Sequence, residues 1–242
     1  MRKLYEKREV LFAVLWILAY CLVIAPLKGE LGFESAWMPL ALLLFAAGMT
    51  AFIKANRLEG KYGLRGWPKN SRRFLYFLPM LILAAGNIWD GFAPSYHGLP
   101  LLFAVLSMCL VGYVEELLFR GFLFKAMLGS GKATTAVIVS ALTFGVGHIV
   151  NLLAGQASLD TALQMLFAVS WGFILTMVFY RGGSLIPCVI AHAMIDVFSL
   201  YGADNPLVDW ICMGATVVVA VLYCAWLARL KSADSYESQP KR

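Results

Sequence analysis

Eight long apolar runs, joined by connections in which basic residues alternate with almost none, constrain this chain more than any other feature of its sequence. The runs cover roughly 10–27, 37–53, 74–89, 99–119, 133–152, 161–180, 185–201 and 208–228. At about 1.5 Å of rise per residue, most approach the length that a helix needs to cross about 30 Å of hydrocarbon. The runs 37–53 and 74–89 are the marginal ones. Nineteen of the 20 Lys/Arg fall in the N-terminal tail, the second connection (54–73), the fourth and sixth connections, and the C-terminal tail. The alternate connections hold only Lys28. Positively charged loops stay on the cytoplasmic side, so this split fits eight spans with both termini cytoplasmic. The expected fold is therefore all-α and polytopic, with 1–242 as a single integral membrane domain. The stretch 231–242 is expected to be a polar cytoplasmic tail, and the first run a retained helix, since no small-residue cleavage site follows it.

Composition closes off the soluble alternatives. The chain is 61% hydrophobic and 14% charged, against about 45–50% and about 25% in soluble domains. Disorder, coiled coil and a secreted disulfide scaffold are excluded by the same figures. A net charge of +6 would suit nucleic acid only if it lay on a soluble face, and here it lies between spans, so no nucleic-acid partner is expected. Membrane lipid is the expected surrounding. The five cysteines all sit in apolar runs without metal-type spacing and read as small core hydrophobes. The basic stretch 54–73 reads as a topology signal, with contact to anionic headgroups as a compatible second use.

Within the runs a few ionisable residues remain: Glu115, Glu116, Asp196, His148 and His192. A charge at mid-bilayer costs about 2.5–3.5 kcal/mol on insertion scales, so such residues face protein or a wet cavity and are functional candidates. Glu116 and Arg120 are four apart and share a helix face. His192, Asp196 and Ser199 form an i, i+4, i+7 stripe. An antiparallel hairpin turning at Gly129-Ser130-Gly131-Lys132 puts Glu115 and His148 each about 24 Å from the turn, at one height. His192, eleven residues past Arg181, reaches a similar layer. A carboxylate beside an imidazole can deprotonate a water, and a second imidazole can donate to an oxyanion, which suits amide hydrolysis. No Gly-x-Ser-x-Gly elbow, no His-Glu-x-x-His pair and no phosphate loop competes with this reading. Asn151 and Ser199 read as helix-packing polar groups, and His97 as a surface residue.

Three motifs then resemble those of the CPBP intramembrane proteases (CAAX proteases and bacteriocin-processing proteins, the Abi family). Glu115-Glu116-Leu117-Leu118-Phe119-Arg120 resembles Glu-Glu-x-x-x-Arg, Phe144-Gly145-Val146-Gly147-His148 resembles Phe-x-x-x-His, and His192-Ala193-Met194-Ile195-Asp196 resembles His-x-x-x-Asn with Asp in the last place. They lie on the helices expected over about 99–201. The resemblance implies an eight-helix fold related to the type II CAAX prenyl endopeptidase, acting on a membrane-delivered or lipidated peptide. It implies that Glu115 and His148 activate water, that His192 and Asp196 line the oxyanion site, and that Glu116 with Arg120 holds the helix in place. Asp196 is a real departure, because an ionised carboxylate cannot donate to an oxyanion as an amide can. Three uses stay open for it: a carboxyl protonated by burial, an acceptor that orients His192, or a metal ligand. The expectation is a metal-free mechanism; the alternative is a zinc ion on Glu115, His148 and His192 with an open fourth position. A non-proteolytic membrane scaffold or bacteriocin-immunity protein on the same fold is the second functional expectation. Short connections point to a bacterial plasma membrane.

Overall fold

Lipid offers no partner for backbone N–H and C=O groups, so an apolar run must close its hydrogen bonds within itself. The computed structural model accordingly has a helix at each apolar run. It describes residues 1–64, 66–68, 78–152, 155–203 and 205–229. Arg65, Lys69, Arg72, Arg73, the start of the 74–89 run and the expected tail 231–242 lie outside the described residues.

The short α1 (Arg2–Lys7) leads into α2 (Glu9–Leu31) and α3 (Trp37–Ala55). After a turn region come α4 (Leu78–Ala84) and a 3₁₀ turn, Gly86–Ile88. Next, α5 (Gly98–Glu116) runs without a break through a π-helical stretch, Leu117–Phe124, into α6 (Lys125–Ser130), one continuous helix of 33 residues. The hairpin turn falls at Gly131 and Lys132, as the glycine spacing predicts, and α7 (Ala133–Gly147) returns, ending in a 3₁₀ turn, His148–Leu152. Then follow α8 (Ser158–Gly182), α9 (Ile186–Ser199) and α10 (Pro206–Arg229). Six helices among the described residues are long and apolar enough to span a membrane; α4 and α9 are shorter. The molecule is an all-α polytopic membrane protein. Leu11, Leu15, Leu18, Leu22, Leu43, Leu44, Val221 and Leu222 stand outward on the long helices, which is stable where the solvent is hydrocarbon.

Small residues set the helix spacing, as they do where packing rather than hydrophobic exclusion drives association. A Cβ at Gly112 would stand 2.9 Å from the Ala193 backbone nitrogen, so α5 and α9 cross at backbone contact. Gly145 against Met165 and Gly172 against Ala141 do the same for α7 and α8. Gly183 caps α8 in the left-handed region, at φ 67°, and lets the chain reverse into α9 within three residues.

The short α9 still reaches from one end of the bundle to the other. At its start, Leu185 N–H donates to Gly63 O (3.0 Å) and Ser184 Oγ to Gly66 O (2.6 Å), in the segment that follows α3. Past its end, Leu200 and Tyr201 carbonyls accept from Ser95 (2.8 Å) and Ala93 (2.7 Å), just before α5 begins. The first of these ends is the basic one, with Lys61, Lys132, Arg181 and Arg229. There Lys61 pairs with Glu9 and donates to Tyr5 Oη (2.9 Å), folding the second connection back on the bundle.

Three charges depart from their expected places. Lys28 is inside α2, which runs four residues past the expected end of the first span, through Pro26 and Gly29, and is capped only at Gly32. Arg120 is not a connection charge at all: the helix continues past it, and its side chain is fully buried. Lys125, expected in the same connection, is likewise buried inside α6, so neither residue counts as a loop charge.

Candidate functional site

The site begins with the consecutive acids at the end of α5, which point to different neighbours. Glu116 is fully buried; its Oε1 accepts from Arg120 Nη1 at 2.8 Å and faces His192 Nδ1 at 2.9 Å. A carboxylate paired with a guanidinium is an acceptor, so Nδ1 carries a proton and donates it. The i, i+4 spacing of Glu116 and Arg120 produces the pair, as the sequence predicts. Arg120 also stacks on Phe144, 4.2 Å from guanidinium carbon to ring centre, and Nη2 lies 3.4 Å from Gly172 O. One Arg side chain thus ties α5 to α7 and α8. Its two flanking turns are π-helical, and all eight residues Leu117–Phe124 are buried. A π-segment inserts into the helical ladder, re-aims the side chains beyond it, and is frequent at functional sites.

Glu115 turns the other way, into a cavity. Its Oε1 accepts from Tyr20 Oη at 2.8 Å, and its Oε2 stands 3.9 Å from His192 Nε2. That same His192 nitrogen is 3.5 Å from Asp196 Oδ2, one turn along α9. His192 therefore sits among three carboxylates, edge-on to Phe144 at 5.4 Å. His148 begins the 3₁₀ turn after α7, packs edge-on to the same Phe144 at 5.5 Å, and has Nδ1 3.2 Å from Phe144 O. A carbonyl only accepts, so Nδ1 is the protonated nitrogen and Nε2 holds the lone pair.

These groups line one cavity of about 310 Å³. Glu115, His148, His192, Asp196 and Ser199 are all on its wall, as are Asn151, Gln164, Tyr20 and Lys28. Glu116 and Arg120 are not; they stand behind it. Five helices line the cavity, on the side away from the basic end: α2 from Tyr20 onward, α5 and its π-helical continuation as far as Phe119, α7 from Phe144, α8 at Gln164, and α9 from His192.

The structure brings together what the sequence singled out, since the three motifs meet at the ring of Phe144 and the imidazole of His192. It also adds Tyr20, Lys28 and Gln164, which motif reading missed. Tyr20 carried no polar pattern, being a Tyr in an apolar run. Lys28 did carry a signal, as the one basic residue outside the alternation. Asn151, read as a packing residue, does bridge helices through Gln164 (2.8 Å) but also accepts from Lys28 (3.1 Å) and faces the cavity. His97 is exposed at the start of α5, as expected of a surface residue.

Among the described residues no three His, Cys, Asp or Glu groups converge on one point that could hold a metal ion. Each histidine has Nδ1 turned to a protein oxygen, and His192 Nε2 is shared between two carboxylates. The residues as placed do not form the Glu115–His148–His192 zinc site of the alternative expectation, and no step below passes through a metal.

No curated protein and no solved structure matches the chain. Residues 97–198, from the start of α5 through α9, do match a family model, that of type II CAAX prenyl endopeptidase Rce1-like, in agreement with the resemblance of the three motifs.

Proposed function

We propose that this chain is an intramembrane endopeptidase that hydrolyses a peptide bond of a membrane-delivered or lipidated peptide. One observation carries the reading. Glu115, His148 and His192, from three separate helices, face a single cavity, and a buried ion pair behind the wall fixes one of them. Water in the cavity would be held between Glu115 Oε2 and His148 Nε2. Glu115 takes its proton as general base, while His148, fixed by its bond to Phe144 O, accepts a hydrogen bond and orients the water. Tyr20 engages the other oxygen of Glu115 and leaves Oε2 to the reaction. His192, held through Nδ1 by Glu116 and taken as the imidazolium among three carboxylates, presents Nε2–H toward the oxygen that becomes anionic. Asp196 then acts on His192, holding its edge, so Asp in place of Asn keeps a positioning use without donating to the substrate. The proton taken by Glu115 passes to the leaving amine as the tetrahedral intermediate collapses.

In this reading the chain makes eight crossings with both termini cytoplasmic, α9 being a short one inside the bundle, in a bacterial plasma membrane. The departure at Asp196 favours one rival, a non-proteolytic scaffold or bacteriocin-immunity protein on the same fold. The variants Glu115→Ala and His148→Ala separate the two. Each should insert and accumulate, and each should lose on the order of 10²–10⁴-fold in the rate of peptide hydrolysis. Retention of substrate processing in both variants, at wild-type abundance in the membrane, would falsify the protease and leave the scaffold.

A further inference from the structure

One fully buried hydroxyl, away from the cavity wall, reaches the backbone of the π-helical stretch. Ser140 on α7 donates from Oγ to Phe119 O at 3.0 Å, since a carbonyl only accepts. A hydroxyl has one proton, and Phe119 O takes it. The 3.4 Å contact between Ser140 Oγ and Thr176 Oγ1 is therefore one in which Thr176 donates. Thr176 is itself fully buried on α8, one turn beyond Gly172, whose carbonyl faces Arg120. The buried hydroxyls of Ser170 and Thr216 bond back to the carbonyl four residues earlier in their own helices. Ser140 instead spends its proton on a different helix, on the residue directly before Arg120. One turn further along α7, Phe144 packs edge-on to the Phe119 ring at 5.2 Å and carries the Arg120 guanidinium on its face. The backbone and the ring of Phe119 are thus both held from α7. A π-helical run of eight residues far exceeds the single-turn form in which this geometry is usual, so contacts from outside the ladder have to hold it.

We infer that Ser140 is a positioning residue: its bond to Phe119 O holds the π-helical register that keeps Arg120 on Glu116, and through Glu116 it keeps His192 aimed into the cavity. The inference rests on the endopeptidase reading for what His192 does there, and adds the contact on which its aim depends. The line of bonds is short. Ser140 fixes Phe119, Arg120 follows it and donates to Glu116 Oε1 at 2.8 Å, and the same oxygen takes the His192 Nδ1 proton at 2.9 Å. Without the hydroxyl, Phe119 O loses its tie to α7 and the stretch is free to rewind. Arg120 then turns about the helix axis, and Glu116 Oε1 moves with it. Ser140 touches no reacting atom, so its whole effect passes through His192.

The test reads His192 directly. The full chain, with its three histidines labelled with nitrogen-15, is placed in phosphatidylcholine nanodiscs, and the Nδ1–H resonance of His192 is assigned by substituting the histidines singly. Hydrolysis of an N-palmitoylated apolar decapeptide is followed in the same preparation. Ser140→Ala should displace or abolish the resonance and lower kcat about tenfold, with KM within about twofold of wild type. Ser170→Ala removes a buried hydroxyl that bonds only within α8, and should leave the resonance and kcat unchanged. Ser140→Cys keeps the volume with a far weaker donor, and carries the same test should Ser140→Ala fail to accumulate. An unmoved resonance in whichever Ser140 variant accumulates overturns the assignment, whatever happens to the rate. Equal displacement in Ser170→Ala overturns it too, since that is what general loosening of the bundle gives. The resonance needs no hydrolysis, so the endopeptidase reading is judged separately: a displaced resonance in Ser140→Ala supports the positioning, and absence of cleavage by wild type counts against the endopeptidase alone.

Discussion

Tyr20 is the side chain whose contribution is easiest to isolate, because its hydroxyl has one partner of consequence, Glu115 Oε1. Replacing it with Phe keeps the ring and its edge contact with Phe45 and removes only the donor. A hydrogen bond to a charged group contributes about 1.5–3 kcal/mol, so Tyr20→Phe should slow hydrolysis roughly ten- to a hundredfold with little change in the amount of folded protein. Steady-state rates in detergent check this, and a rate within about twofold of wild type would remove Tyr20 from the machinery. The pair behind the wall behaves differently. Arg120→Met strands a buried carboxylate and Glu116→Gln strands a buried guanidinium; each should cost about 3–5 kcal/mol of stability, and the double variant less than the two together. Thermal unfolding of the four proteins in one detergent measures it. The contrast explains what could be read from the sequence here. Glu115, Glu116, Asp196, His148 and His192 announced themselves because charge in an apolar run is costly and has to be justified, and Arg120 showed itself only by its i, i+4 spacing from Glu116. Tyr20 is at home in such a run, so nothing in the chain marked it, and its partner lies 95 positions away.

At the scale of elements, helix approach decides whether the site exists. Glu115 and Glu116 are on α5 and His192 is on α9, and these helices meet where Gly112 faces the Ala193 backbone, next to His192. A methyl at Gly112 would sit 2.9 Å from backbone nitrogen and 3.2 Å from Cα, atoms that no side-chain rotation can move aside. Gly112→Ala should therefore cost about 1–3 kcal/mol through overpacking and should lower activity further by lifting His192 away from Glu116. Gly129→Ala is the control. Nothing lies within 4 Å of its added carbon, and it should gain up to about 1 kcal/mol of helix propensity. Unfolding midpoints together with rates separate the two effects; equal behaviour of the two variants would remove the crossing as the determinant. The ends of the helices were mostly legible in the apolar runs, because glycine and basic residues terminate them. The exception is α5, expected to end near 119 and in fact unbroken to Ser130. Arg120 looked like a boundary residue. Its charge is neutralised by Glu116 one turn earlier, so the helix had no reason to stop there. The π-helical stretch had no sequence signature, since it follows from how eight residues, buried on every side, fit between α2, α7 and α8.

The whole molecule has two ends that differ in charge, and the cavity belongs to one of them. Lys61, Lys132, Arg181 and Arg229 mark one end, while Phe33, Asn151, Gln164 and Ser199 line the part of the cavity nearest the other. Positive loops are retained on the cytoplasmic side, so the cavity should open away from the cytoplasm. Single cysteines in a background with the five native ones replaced test this directly. Ser199 is exposed at the end of α9, and Lys132 is exposed in the turn before α7. In intact bacterial cells a membrane-impermeant maleimide should label Ser199→Cys at once and Lys132→Cys only after the membrane is permeabilised. The opposite pattern would turn the molecule over and make the substrate a cytoplasmic peptide. The outcome also bears on the crossing count. With α9 running from Gly63 at the basic end to Ser95 at the other, it is a passage through the bundle despite its 14 residues. A helix that short covers only about 21 Å, which suffices because its neighbours, and not lipid alone, receive its ends. That is why hydropathy length by itself passes over α9: a length threshold assumes a helix facing lipid along its whole course, and α9 spends its course against α5, holding His192 in place.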